Sequence, residues 1–100
     1  MEDLGTKYCS NEEYHELFRI MIDSHICEDK AIAITNDGEL LYVENKLMNN
    51  SSAYWMQTVF YRINKVEFCT FLAKARSRGY IEKAIQKGQT TEEELKRLSE

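Results

Sequence analysis

His25-Ile26-Cys27 places two potential zinc ligands one residue apart, and Cys9 and His15 lie upstream of them. Zinc sites usually take four ligands drawn from short CxxC or HxxxH spacings, and neither spacing occurs here. The simpler expectation for His25 is a helix-terminal histidine beside the negative end of the helix dipole. A Cys–His nucleophilic pair would need a third group to orient the base, and the sequence identifies none. The adjacent carboxylates Glu12-Glu13 and Glu28-Asp29 have the chemistry for proton transfer, but neighbouring surface carboxylates are usually solvated. Asp37-Gly38 reads as a turn, and Gly79 and Gly88 are isolated, so there is no glycine-rich loop to cradle a phosphate. No catalytic, cofactor-binding or metal-ligating residue is assigned, and the chain is expected not to be an enzyme.

Charge is the stronger signal. Residues 1–61 carry eleven acidic and four basic side chains, net −7, whereas residues 62–87 carry seven basic and two acidic, net +5. One reading pairs the two regions internally, with Arg62, Lys65, Lys74, Arg76 and Arg78 facing acidic elements. A second presents Glu12, Glu13, Glu16, Asp23, Glu28 and Asp29 as an acidic face to a basic surface of another protein, steering association. A third uses Lys74, Arg76, Arg78, Lys83 and Lys87 to bind nucleic acid, with Tyr80 available for stacking. Six tyrosines and Trp55 are more amphipathic rings than a domain of 100 residues readily buries. Such rings anchor protein interfaces.

Positioning these groups falls to a predicted α+β domain spanning 1–100, with 1–9 a flexible arm. Ser10-Asn11-Glu12-Glu13 has the form of a capping box, and Tyr14, Leu17, Phe18, Met21 and Ile22 recur at helical spacing. They predict an amphipathic helix from about Asn11 to Ser24. Lys30–Thr35 and Leu40–Glu44 read as strands around Asn36-Asp37-Gly38, predicting a two-stranded antiparallel hairpin.

Ala53–Arg78 holds the single Trp and three of the four Phe, and is the stretch around which the rest is expected to be built. Met56, Val59, Phe60 and Ile63 share one helical face; Phe68, Phe71, Leu72 and Ala75 repeat the spacing out of register. The expectation is a long central helix capped by Ser51 or Ser52, or one broken near Asn64-Lys65. Tyr54–Arg62 also reads as a strand, less well because neither alternating set is cleanly apolar. Two short helices follow, one stopped by Gly88 and one capped by Thr90 or Thr91. With only Leu95 and Leu98 apolar, the segment 90–100 is expected to dock weakly.

Composition bounds the rest. A chain that is 43% hydrophobic and 30% charged is an ordinary globular one. Three widely spaced cysteines argue against a disulfide framework, and Cys69, between aromatic neighbours, is expected to be a small buried hydrophobe. No leader-like or membrane-spanning run is read, so a cytoplasmic location without membrane contact is expected. The functional expectation is a non-enzymatic protein-binding module, in the manner of a small phage-type inhibitor or regulator, presenting an acidic face to a basic, nucleic-acid-binding surface of its partner. Dimerisation through the wide apolar face of the central helix is a further expectation. The alternative is a nucleic-acid-binding domain using the basic segment 62–87.

Overall fold

The computed structural model describes residues 1–5, 16–25 and 28–100, with side chains described from Arg19 onward in the second stretch. Five strands form one antiparallel sheet: β1 (Glu2–Gly5), β2 (Glu16–His25), β3 (Glu28–Thr35), β4 (Leu40–Asn49) and β5 (Tyr54–Arg62), in the order β1-β5-β4-β3-β2. The helices α1 (Lys65–Ser77), α2 (Tyr80–Gln86) and α3 (Glu92–Ser99) follow in sequence. An antiparallel sheet with its helices gathered on one face is an α+β arrangement.

The centre of this sheet is apolar on both faces. Ile32 and Ile34 on β3 and Leu40 and Tyr42 on β4 point toward the helices, where they meet Ile20, Ile22, Ile63, Phe68, Leu72, Ala75, Ile81, Ala84 and Leu95. On the other face Ala33, Leu41, Val43 and Phe60 form a second buried cluster with Leu4 packed against it. Side chains alternate along a strand, so KAIAIT and LLYV supply both layers at once. The small Ala31 and Ala33 stand on the face away from the helices and the larger isoleucines on the face toward them.

The β3–β4 connection is held by its own polar groups. The Thr35 N–H donates to the Glu39 carbonyl at 3.0 Å, Gly38 N–H donates to the Thr35 carbonyl at 3.0 Å, and the buried Thr35 hydroxyl donates to Asp37 at 2.5 Å. That last bond holds the Asp37 carboxyl below its ordinary pKa. Gly38 has φ +85°, a conformation that suits glycine because it has no Cβ.

The expected architecture is overturned in three places. The helix from Asn11 to Ser24 is not present in its described part: residues 16–25 are strand β2, and Ser10–His15 lie outside the described residues. Ile20 explains the error. It is buried beside Ile22 with a two-residue period, while the helical pattern had skipped it. A register shift between Met21 and Asp23 breaks the simple alternation further, as a bulge does. The two-stranded hairpin is also replaced, because β3 and β4 are interior strands of a five-stranded sheet. The long central helix is instead a strand, a two-residue link and a helix. β5 ends at Arg62, and Asn64 caps α1 by accepting from Glu67 N–H at 2.8 Å while the Glu67 carboxylate accepts from Asn64 N–H at 3.1 Å. This capping box, rather than Ser51 or Ser52, marks the helix start.

Cys69 also departs from expectation, being exposed on α1. The buried stripe of that helix is Phe68, Leu72 and Ala75, and Cys69 is turned about 100° away from Phe68. Short helices do occupy the region after Gly79, with Thr91 accepting from Glu94 N–H at 3.1 Å to cap α3. Leu95 of that helix is only 1% exposed. Leu95→Ala is expected to cost about 2–5 kcal/mol in urea denaturation, as a buried leucine does. Val66→Ala, at a site 76% exposed, should change stability by less than about 0.5 kcal/mol. A loss below about 1 kcal/mol for Leu95→Ala would instead indicate a weakly docked C-terminal helix.

Candidate functional site

β4 and β5 run past the end of the sheet. The last β3–β4 pair is Glu28 with Lys46, but β4–β5 pairing continues through Leu47–Met56, Met48–Trp55 and Asn49–Tyr54. Three further pairs extend the ribbon by about 10 Å. Its end is a polar turn organised by one side chain: Asn50 Oδ1 accepts from Ser52 N–H at 2.9 Å, Ser52 hydroxyl at 3.0 Å and Ala53 N–H at 2.9 Å. Asn50 N–H donates in turn to the Ala53 carbonyl at 3.0 Å.

The two faces of this ribbon are both apolar and largely open. Leu47 and Met56 share the face away from the helices, with relative exposures of 37% and 54%; Met48 and Trp55 share the other, with Trp55 at 42%. Tyr54 is 76% exposed. Together these side chains form an exposed apolar and aromatic cluster at the end of the sheet, the kind of surface that marks an interaction site. No charged residue occurs from Leu47 to Met56.

At the root of the ribbon, polar groups replace the apolar ones. Thr58 donates to Asn45 at 2.6 Å, and Glu44 pairs with Lys46 at 3.0 Å. Tyr42 lies stacked on Phe71, with centroids 4.6 Å apart, and its buried phenol hydrogen-bonds Glu44. Burial and the neighbouring carboxylate hold that phenol well above the ordinary range. Burial alone would raise the Glu44 carboxyl, but hydrogen bonds with Lys46 and Tyr42 and the nearby ammonium groups together outweigh it and hold the carboxyl below its ordinary value. Glu28 and Asp29 sit across the sheet from Lys46 and Asn45, so carboxylates rim the same end.

The sequence-derived acidic set is therefore only partly assembled here. Glu28 and Asp29 lie at the ribbon base. Asp23 is one strand over, in contact with His25 at 3.1 Å and Arg78 at 3.8 Å. Glu16 is on β2, while Glu12 and Glu13 lie outside the described residues. His25 ends a strand rather than a helix, and Cys9, His15 and Cys27 lie outside the described residues. Among the described residues no group of three His, Cys, Asp or Glu side chains is arranged to hold a metal ion.

The basic set is scattered. Arg76 makes a two-pronged contact with Glu92 at 2.7 and 3.1 Å. Arg78 donates to the Ile22 carbonyl at 2.8 Å as well as facing Asp23. Arg62 reaches Glu2 and Glu39, and Lys65 donates to the Glu100 carbonyl. Lys74 lies 5.8 Å from the Phe71 ring centroid, and Lys83 lies 5.5 Å from that of Tyr80. Lys87 caps the end of α2.

Sequence reasoning flagged Tyr54 and Trp55 among the interface-type rings but assigned Met56 to a buried helical face and singled out neither Leu47 nor Met48. The available signal was two apolar runs separated by Asn49-Asn50-Ser51-Ser52, a composition suited to a hairpin turn. The fold and this surface together define a small α+β domain with a projecting apolar ribbon. No family model, curated protein or solved structure matches the chain. Among the described residues, no helix is long and apolar enough to cross a membrane.

The Glu44 linkage gives a pH test. Its folded pKa is depressed, so its contribution to stability is present above the unfolded value near 4.5 and is lost as pH falls through the folded value. Glu44→Gln should narrow its stability deficit relative to the parent as urea midpoints are measured at successively lower pH below 4.5. A constant deficit would mean that Glu44 is not held ionised by Lys46 and Tyr42.

Proposed function

We propose that this chain is a non-enzymatic protein-binding module whose contact surface is the β4–β5 ribbon with its acidic base. The observation that carries this reading is the uncharged ribbon of Leu47, Met48, Tyr54, Trp55 and Met56, apolar on both faces and extended beyond the sheet. Met, Tyr and Trp are enriched where protein interfaces concentrate their binding energy. Two apolar faces fit a groove that closes on the ribbon from both sides. The polar Asn50 turn disfavours end-on insertion into lipid, where its amide and hydroxyl groups would lose water. Glu28 and Asp29 at the base favour a partner whose groove has a basic rim.

This places the acidic contribution at one end of the sheet rather than on an N-terminal helix. The nucleic-acid reading has less support, because Arg76 and Arg78 already hold protein partners and the lysines do not form one stripe. Dimerisation through a long central helix has no basis, since that helix is absent.

Affinity capture with the full chain, with and without nuclease, tests the proposal. A nuclease-resistant stoichiometric protein should be retained by the parent and lost with Trp55→Ser/Met56→Ser. For the purified complex, Trp55→Ala should raise Kd by about 30-fold or more, as loss of an interface anchor of about 2 kcal/mol does. Glu28→Lys/Asp29→Lys should slow association at low salt, with the effect shrinking as salt rises. Retention unaltered by the Trp55/Met56 variant would remove the ribbon from the interface, and nuclease-sensitive recovery of nucleic acid alone would favour the basic segment.

A further inference from the structure

A groove of about 380 Å³ lies between the edge strand β2 and helix α2, away from the ribbon. Arg19 and Met21 supply one wall; Tyr80, Lys83, Lys87 and Gln89 supply the other. We infer that this groove binds a phosphorylated small molecule through Lys83 and Lys87.

Three features carry the inference. Lys83 and Lys87 are four residues apart on α2 and its cap, so they stand on one face about one turn apart. Among the described residues, no carboxylate lines the groove, whereas Gln89 and Tyr80 add hydrogen-bonding groups at its wall. Most other cations of segment 62–87 have protein partners outside the groove, and Lys74 lies over the Phe71 ring. Arg62, Arg76 and Arg78 each contact a carboxylate, and Lys65 donates to a backbone carbonyl.

Three of the seven cations of segment 62–87 are thus paired with carboxylates, while Lys83 and Lys87 are brought together at the groove. A nucleic-acid strand would need cations tracking successive phosphates beyond this point. A compact anion bearing two or more charges needs only what the groove holds. Its volume falls within the roughly 300–1,000 Å³ typical of small-molecule sites. Arg19 has a further interaction of its own and is not counted as a ligand. The site is independent of the ribbon, so the failure of one leaves the other standing.

Inorganic pyrophosphate is a suitable probe, titrated into the full chain while amide shifts are followed by NMR. Saturable shifts are expected at Tyr80, Lys83, Lys87 and Gln89, with affinity reduced at least about tenfold in Lys83→Glu/Lys87→Glu. Lys83→Gln/Lys87→Gln repeats the test without charge reversal, and Lys74→Glu/Lys96→Glu applies the same change in net charge elsewhere and should bind like the parent. Absence of saturable shifts at millimolar pyrophosphate would overturn the inference. So would equal weakening by the Lys74/Lys96 variant, which would indicate diffuse attraction. Tighter binding of a single-stranded oligonucleotide, with shifts spreading along α1, would also overturn it by making the ligand a strand.

Discussion

The burial of β3 and β4 on both faces is the constraint from which the remaining structure follows. A strand with large apolar side chains on one face and alanine or valine on the other cannot leave either face in water without losing about 25 cal/mol for each Å² of apolar surface exposed. Helices satisfy one side. Phe68, Leu72 and Ala75 of α1, Ile81 and Ala84 of α2, and Leu95 of α3 all converge on the layer built from Ile32, Ile34, Leu40 and Tyr42. The opposite layer gathers Ala33, Leu41 and Val43 with Phe60 and brings Leu4 against them. β2 and β5 are thereby recruited to flank the central pair, and β1 is paired with β5.

The same constraint explains why the ribbon differs from the rest of the sheet. Its two strands continue the hydrogen-bonded ladder of β4 and β5, but they have left the span over which β3 and the helices provide cover. Apolar residues persist on both faces beyond that point. An ordinary sheet end would stay polar once its cover ended; here a polar band at Asn45, Lys46, Gln57 and Thr58 is followed by a second apolar stretch that ends at the Asn50 turn. Tyr42, Glu44 and Lys46 mark the transition, from a ring stacked within the core to an ion pair at the surface.

Charge in the native structure is largely a matter of local neutralisation. Arg78 crosses from the end of α1 to Asp23 and the Ile22 carbonyl, tying the helical layer to edge strand β2. Arg62 links Glu2 and Glu39 across three separate parts of the chain. These exposed pairs each contribute little to stability, on the order of 0–1 kcal/mol. Their larger consequence is subtractive, because they withdraw cations from the surface and leave a smaller basic patch than the linear sequence suggests.

The amino-acid sequence by itself determined the local punctuation: the glycine turn after Asp37, the strand character of the two apolar runs around it, a capped last helix beginning at Thr90 or Thr91 and the acidic-to-basic division along the chain. Those features depend on neighbours in sequence, through backbone conformations and hydrogen bonds within a few residues. Tertiary structure decided what periodicity could not. Phe18, Met21 and Ile22 fit a helix when read alone, but Ile20 and Ile22 became the inward side of β2 because β3 supplied the backbone partners and the helices supplied the cover. Tyr54–Arg62 likewise carried an ambiguous pattern, since half of the strand enters the core at Phe60 and half projects from it at Trp55. Whether an apolar residue is core or contact surface depends on what lies across from it, and that information belongs to the assembled sheet rather than to the residue's place in the chain.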